Sequence, residues 1–186
     1  MRIISGDLKG RNILRTLNKS TRPLKDKVRE SIFNLLDHSK KICFKIEKSK
    51  ILDLYSGTGS FGIECLSRNV NNVVFVEKDP LAFSVLKKNI SNLKLINKSK
   101  LIYQDVKHFV EKSDGKNKFD LFFLDPPYKD TSFVEIIGLI KEKKLFTKHH
   151  SIIIHREKKC EEELSKFLKV DFQKNYGRSK IVIGSF

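Results

Sequence analysis

Cysteine is scarce in this sequence: three residues, at 43, 65 and 160, with no C-x-x-C pair. A scattered, odd set of thiols excludes a disulfide framework and supplies no paired zinc ligands. Histidine is scarce too, and His149-His150 is the one adjacent pair among five. Side chains at neighbouring positions point apart on a helix or a strand. Beside Lys148 the pair is expected to form a solvated turn, and no metal site is expected. Long apolar runs are missing: nothing approaches the roughly eighteen residues of a membrane span. The opening Met1-Arg-Ile-Ile-Ser-Gly6 lacks the hydrophobic core of a signal peptide, so the expected location is the cytoplasm.

Acidic residues are also short in supply. The chain carries 22 of them against 38 lysines and arginines, a net charge of +16, which points to a polyanionic partner. The surplus lies at the front: residues 1–50 hold 14 basic and 5 acidic side chains, whereas residues 101–150 hold 9 and 8. With 186 residues and 39% hydrophobic content, the chain suits one well-buried domain with a small extension, expected as a monomer.

What is present is organised around Ile51-Leu-Asp-Leu-Tyr-Ser-Gly-Thr-Gly-Ser-Phe-Gly62, an apolar strand running into a glycine-rich turn. Such a turn lets a ligand approach the backbone and lets the next helix pack closely on the strand. Two acids narrow the ligand. Asp53 lies where a dinucleotide enzyme keeps its strand apolar, and so suits a cationic ligand. Glu77 closes the apolar run Val73–Val76, where a carboxylate accepts hydrogen bonds from ribose hydroxyls. A ribose and a positive group without phosphate describe S-adenosylmethionine.

In chain order, residues 2–4 and 11–17 read as a small β-hairpin arm joined through Gly6 and Lys9-Gly10, carrying Arg2, Lys9, Arg11 and Arg15. An amphipathic helix over 21–36 follows, opened by Pro23 and expected to have a basic outer face. Residues 39–50 read as a connector or short edge strand. Strands are then expected near 51–55, 73–77, 100–104, 119–124 and 151–155, and helices over 60–68, 80–93 and 132–144. This βα alternation is the pattern of a parallel sheet covered on both faces. A helix near 160–168 is expected before two closing strands, 169–176 and 180–186, which Gly177 splits into an antiparallel hairpin.

A second motif, Asp125-Pro126-Pro127-Tyr128, ends the strand Phe119–Leu124 and faces the same crevice as the glycine turn. An exocyclic amino nitrogen on a base is a poor nucleophile, because its lone pair is delocalised into the ring. Asp125 and the Pro126 carbonyl can accept its two N–H bonds and turn the lone pair towards an electrophilic methyl group. The prolines hold that carbonyl and offer no competing donor. Tyr128 would stack on the unstacked base.

The pairing of both motifs resembles the amino-methyltransferases, and the whole chain is similar to the RsmD family, bacterial enzymes that methylate N2 of one guanine in small-subunit ribosomal RNA. Four blocks carry the resemblance: Arg2-Ile-Ile-Ser-Gly6 with Lys9-Gly-Arg11; Thr21-Arg-Pro23 with Asp26-Lys-Val-Arg-Glu-Ser-Ile-Phe-Asn34; Asp53 to Arg68; and Phe119 to Tyr128. The chain departs from the family at Leu24-Lys25, where small hydroxyl residues are usual, and its Asn175–Arg178 segment is only loosely alike.

The resemblance implies an α/β, Rossmann-like class I methyltransferase fold: a mainly parallel seven-stranded sheet, a C-terminal antiparallel hairpin and a basic N-terminal extension. Residues 1–38 would be the RNA-docking extension and 39–186 the methyltransferase domain. It places Asp53, Tyr55, Gly57, Gly59, Glu77 and Asp105 on S-adenosylmethionine, with Gly57 and Gly59 against the methionine moiety, Glu77 on the ribose and Asp105 near the adenine amino group. Asp125, Pro126, Pro127 and Tyr128 would meet the target guanine. Arg2, Lys9, Arg11, Arg15 and Arg22 would meet ribosomal RNA, or the assembling small subunit. Two other readings share these motifs: an amino-methyltransferase acting on another RNA or on adenine N6 of DNA, and an inactive nucleic-acid-binding protein.

Overall fold

The computed structural model describes residues 1–16, 24–39, 42, 45–160 and 162–186. Seven strands form one sheet: β1 Lys50–Leu54, β2 Asn72–Glu77, β3 Ser99–Tyr103, β4 Phe119–Leu124, β5 Phe146–Glu157, β6 Lys169–Tyr176 and β7 Ser179–Ser185. Their order is β3-β2-β1-β4-β5-β7-β6. The first five run parallel, and β7 pairs antiparallel with both β5 and β6. Helices α1 Asp26–His38, α2 Ser60–Ser67, α3 Pro80–Asn92, α4 Val106–Lys112 and α5 Phe133–Glu142 cover the sheet.

The strands are apolar at successive positions because both faces are buried, and alternate side chains serve two separate cores. Ile51, Leu121, Phe123, Ile153, Ile181 and Ile183 face one core, with α1, α2 and α3. Leu52, Leu54, Phe122, Leu124, Ile152, Ile154 and Val182 face the other, with α4 and α5. Phe61 of α2 stacks on Phe123 of β4, with ring centroids 3.9 Å apart.

The N-terminal segment shares the first of these cores, through Ile3, Ile13, Leu24, Val28, Ile32 and Phe33. Leu24, at the position where the sequence departs from the family pattern, is 3% exposed, so an apolar side chain there fills core volume. The arm is hairpin-like: Gly10 N–H donates to the Ile3 carbonyl at 2.9 Å and Ile13 N–H to the Met1 carbonyl at 2.8 Å. Its backbone is pinned by the buried Glu64 carboxylate, which accepts from Ile4 N–H at 2.8 Å and Ser5 N–H at 2.9 Å. Arg29 lies alongside, with Nε 3.8 Å from Glu64 Oε2, and both side chains are fully buried. Each has a second partner: Glu64 Oε1 accepts from Arg68 Nε at 3.2 Å and Arg29 Nη2 donates to Asp26 Oδ1 at 3.2 Å, so the pair belongs to a wider charge network.

Several expectations need correcting. The outer face of α1 is mixed in charge, since Arg29 is buried and Lys27 is exposed among Asp26, Glu30 and Asp37. Of the two readings of 39–50 only the edge strand fails: among the described residues of 39–49 there is no strand, and pairing begins at Lys50, which leaves a connector. The helix expected near 160–168 is a single turn of 3-10 helix, Leu164–Lys166. Leu164 and Leu168 bury against the second core while Phe167 stays 38% exposed, so the apolar spacing supports one turn and cannot repay nucleation of a longer helix.

His149 and His150 sit in β5, not in a turn. The His150 ring is buried: Nδ1 hydrogen-bonds the Thr147 carbonyl at 2.8 Å and Nε2 accepts from Phe186 N–H at 3.0 Å. Burial pushes its pKa down, in keeping with a neutral ring that donates from Nδ1. The sequence pattern does not reveal α4, whose seven residues bury only Val106 and Val110, with Phe109 packed partly buried against the same core.

Candidate active site

Along the sheet the chain steps from β1 out to β2 and β3, then returns to the other side of β1 with β4. A reversal of this kind opens a crevice beyond the carboxyl ends of the two central strands, which is where ligands bind in open α/β sheets. Here β1 delivers the glycine turn and β4 delivers Asp125. Asp125 N lies 3.5 Å from the Leu54 carbonyl, so the two motifs are neighbours across the strand pair.

The glycine turn is built by backbone angles that few side chains tolerate. Tyr55 adopts φ 59°, Gly57 56° and Gly59 85°. Gly59 is favoured by its positive φ and by crowding, since a Cβ there would lie 2.4 Å from Leu86 Cδ1 of α3, whereas a Cβ at Gly57 would meet nothing within 4 Å. Gly57 therefore faces open space, as a residue approached by a ligand should.

Glu77 closes the turn from the side. Its Oε2 accepts from Gly57 N–H at 2.7 Å and its Oε1 from Asp79 N–H at 2.7 Å, leaving one lone pair on each oxygen. Asp53 lies beneath, 1% exposed, with Oδ2 accepting from Gly62 N–H at 3.0 Å and Oδ1 without a hydrogen-bond partner among the described residues. Burial pushes this carboxyl well above the usual range; the bond from Gly62 opposes the shift, and repulsion from Asp125 and Glu77 adds to it.

Asp105 sits at the neighbouring strand end, where Gln104 N–H donates to the Glu77 carbonyl at 3.1 Å. It caps α4 by accepting from Lys107 N–H at 2.9 Å and pairs with Lys78 at 3.0 Å. Partial burial works to raise its pKa, yet Lys78 and the capping amides hold the carboxyl below its ordinary value. Tyr55 is half-buried, and burial followed by repulsion from Asp130 pushes its phenol up.

Across the crevice, Asp125 Oδ1 bonds His155 Nδ1 at 2.8 Å. Arg156, the next residue of β5, donates from Nη1 to the Pro127 carbonyl and from Nη2 to the Tyr128 carbonyl, each at 3.0 Å. Its Nε donates to Glu162 at 3.0 Å, and the guanidinium lies 4.5 Å from the centroid of the Phe133 ring. The Pro126 carbonyl is not part of this clamp. Tyr128 packs edge-on to His155, with ring centroids 6.2 Å apart.

His155, Arg156 and Glu162 were not among the candidates that the sequence offered. The signal was a strand whose apolar run, Ile152–Ile154, continues directly into two charged or polar residues level with the end of β4.

Arg2, Lys9, Arg11 and Arg15 are all exposed on the arm, and Arg22 lies outside the described residues. The arm reaches the glycine turn through Asn89 of α3. Its Oδ1 accepts from Leu14 N–H at 2.8 Å, while Nδ2 donates to the Leu14 carbonyl at 3.1 Å and the Thr58 carbonyl at 2.9 Å. Among the described residues no group of three or more His, Cys, Asp or Glu is placed to hold a metal ion.

Comparison with known proteins adds the decisive observation. A family model described as conserved hypothetical protein 95 matches residues 1–185. Ribosomal RNA small subunit methyltransferase D of Buchnera aphidicola is 35% identical over 157 residues, which is 84% of this chain and 78% of that protein. The chain belongs to the RsmD family. A second RsmD-family relative, the Haemophilus influenzae ribosomal RNA small subunit methyltransferase D, is 33% identical over 159 residues, 85% of this chain and 79% of its own. A solved structure from the same species, provisionally assigned as a methylase, superposes with a TM-score of 0.77 at 29% identity and covers 98% of this chain and 96% of its own. Both motifs of the crevice thus lie on a fold shared with that solved structure.

Proposed function

We propose that this protein transfers a methyl group from S-adenosylmethionine to the exocyclic N2 amino group of a guanine in small-subunit ribosomal RNA. The observation that carries the reading is the placement of Asp125 beside the glycine turn, with one carboxylate oxygen held by His155.

The residues at the turn fit this cofactor. Glu77 keeps a free lone pair on each oxygen for ribose hydroxyls, the open side of Gly57 admits a close backbone contact, and Asp53 holds a buried oxygen that lacks a partner among the described residues. Asp105 stands at the next strand end, on the side expected for the adenine. When bound, the cofactor supplies an electrophilic methyl carbon on a sulfonium.

The protein's own part is binding, orientation and proton handling. Asp125 and the Pro126 carbonyl accept the two amino N–H bonds, which frees the nitrogen lone pair for attack, and Asp125 takes the proton released as the new N–C bond forms. Tyr128 stacks on the extruded base. Residues 1–38 serve as the RNA-docking extension of a methyltransferase body formed by residues 39–186. Arg2, Lys9, Arg11 and Arg15, with Arg22, supply the attraction to phosphate that the carboxylate-rich crevice cannot. The protein acts as a monomer in the cytoplasm, on ribosomal RNA or the assembling small subunit.

The test is incubation of the purified protein with tritiated S-adenosylmethionine and small subunits from a strain lacking the native enzyme, followed by mapping of the labelled nucleotide. Label on a guanine N2 supports the reading. Label on adenine, or none, overturns it.

A further inference from the structure

We infer that His155 is the positioning residue of the reaction: its imidazole carries the proton on Nδ1 and donates it to Asp125 Oδ1, so that Oδ2 is the oxygen presented to the substrate amino group. This rests on the proposed methyl transfer and adds to it a residue that neither motif contains.

A carboxylate has acceptor lone pairs and no donor, so at 2.8 Å the hydrogen must come from the ring nitrogen. The bond therefore requires a proton on Nδ1. The ring's Nε2 is buried and has no hydrogen-bond partner among the described residues, so none of them pulls the proton away from Asp125 on the far side of the ring. The two partners differ in freedom. His155 is 6% exposed at its side chain and Asp125 21%, so the imidazole is the fixed inner partner and the carboxylate the outer one that it aims.

Alone, an aspartate at the end of a strand turns about its terminal torsion and offers either oxygen. With Oδ1 committed, that rotation is lost. Arg156 does the same for the backbone downstream, holding the carbonyls of Pro127 and Tyr128. Consecutive residues of β5 therefore hold the carboxylate and the turn that follows it, and the motif's geometry is set by the neighbouring strand as well as by its own prolines. Misplacing a reacting group by about 1 Å costs on the order of 10²-fold in rate.

The test pairs a spectroscopic readout with two variants. In histidine-labelled wild type, 15N NMR with His155 assigned through His155→Asn should show the Nδ1-protonated tautomer. His155→Leu should lower kcat for methyl transfer to small subunits on the order of 10- to 100-fold, leaving subunit KM and cofactor Kd within about twofold. His155→Asn, whose amide nitrogen falls near the place of Nδ1, should recover most of the lost kcat. A ring protonated on Nε2 alone, a wild-type kcat in His155→Leu, or a folded His155→Asn as slow as His155→Leu would each overturn the assignment. Should His155→Leu fail to fold, the tautomer and the His155→Asn kcat still decide. A wild-type protein that labels no subunit overturns the proposed function instead, an outcome the tautomer measurement keeps separate.

Discussion

Gly57 N–H donates to Glu77 Oε2 at 2.7 Å, so the carboxylate at the end of β2 holds the turn that follows β1. The residue expected to bind ribose is thereby also a brace for the cofactor loop. Replacing it with glutamine keeps one acceptor oxygen and removes the charge. Glu77→Gln should weaken S-adenosylmethionine binding by about 1.5–3 kcal/mol, the worth of a hydrogen bond to a charged group. Isothermal calorimetry measures this directly, and unchanged affinity would refute the ribose assignment.

Asp125→Ala should separate binding from chemistry. Under the proposed function the carboxylate meets the amino group and not the cofactor, so cofactor affinity should stay within a few-fold. Single-turnover methyl transfer should fall on the order of 10²- to 10³-fold, as for loss of one preorganised electrostatic contact. Ordinary turnover in this variant would sink the mechanism.

Asp53 gives a pH signature. Its folded-state pKa is raised well above 3.8, so between that value and the folded pKa the native state binds a proton that the unfolded state has lost. Stability from this group is therefore full below 3.8 and declines as pH rises towards the folded pKa. Asp53→Asn keeps an acceptor for Gly62 N–H and does not titrate. Urea denaturation should show the variant gaining on wild type as pH rises above about 4, and parallel curves across that range would count against the buried acid.

The arm offers a test in salt. Changing Arg2, Arg11 and Arg15 together to alanine should lower subunit affinity and flatten its salt dependence, the log–log slope falling by roughly 0.7–0.9 for each phosphate no longer neutralised. Cofactor affinity should be unchanged. Identical slopes for wild type and variant would make the arm a solvated basic face.

The fold was legible because its signals are local and repeated. Apolar runs such as Val73–Val76 and Leu121–Leu124 mark strands buried on both faces, glycines 57 and 59 mark the strand-to-helix turn, and Gly177 marks the closing hairpin. The site was legible in part. Asp125 and Glu77 announce themselves as acids ending apolar strands, whereas His155 and Arg156 matter only because β5 lies beside β4, a pairing of residues about thirty positions apart that no local pattern encodes. His150 was misread for the same reason: its partner, Phe186 N–H, lies at the far end of the chain.

The joint at Asn89 has a thermodynamic corollary. One side-chain amide bonds both the arm at Leu14 and the glycine turn at Thr58, so under the proposed function it ties the RNA-docking segment to the cofactor loop. Linkage makes such restraint symmetric: the factor by which docked RNA changes cofactor affinity equals the factor by which cofactor changes RNA affinity. Cutting the amide in Asn89→Ala should drive that shared factor towards one, and the two substrates would then load as independent events in either order.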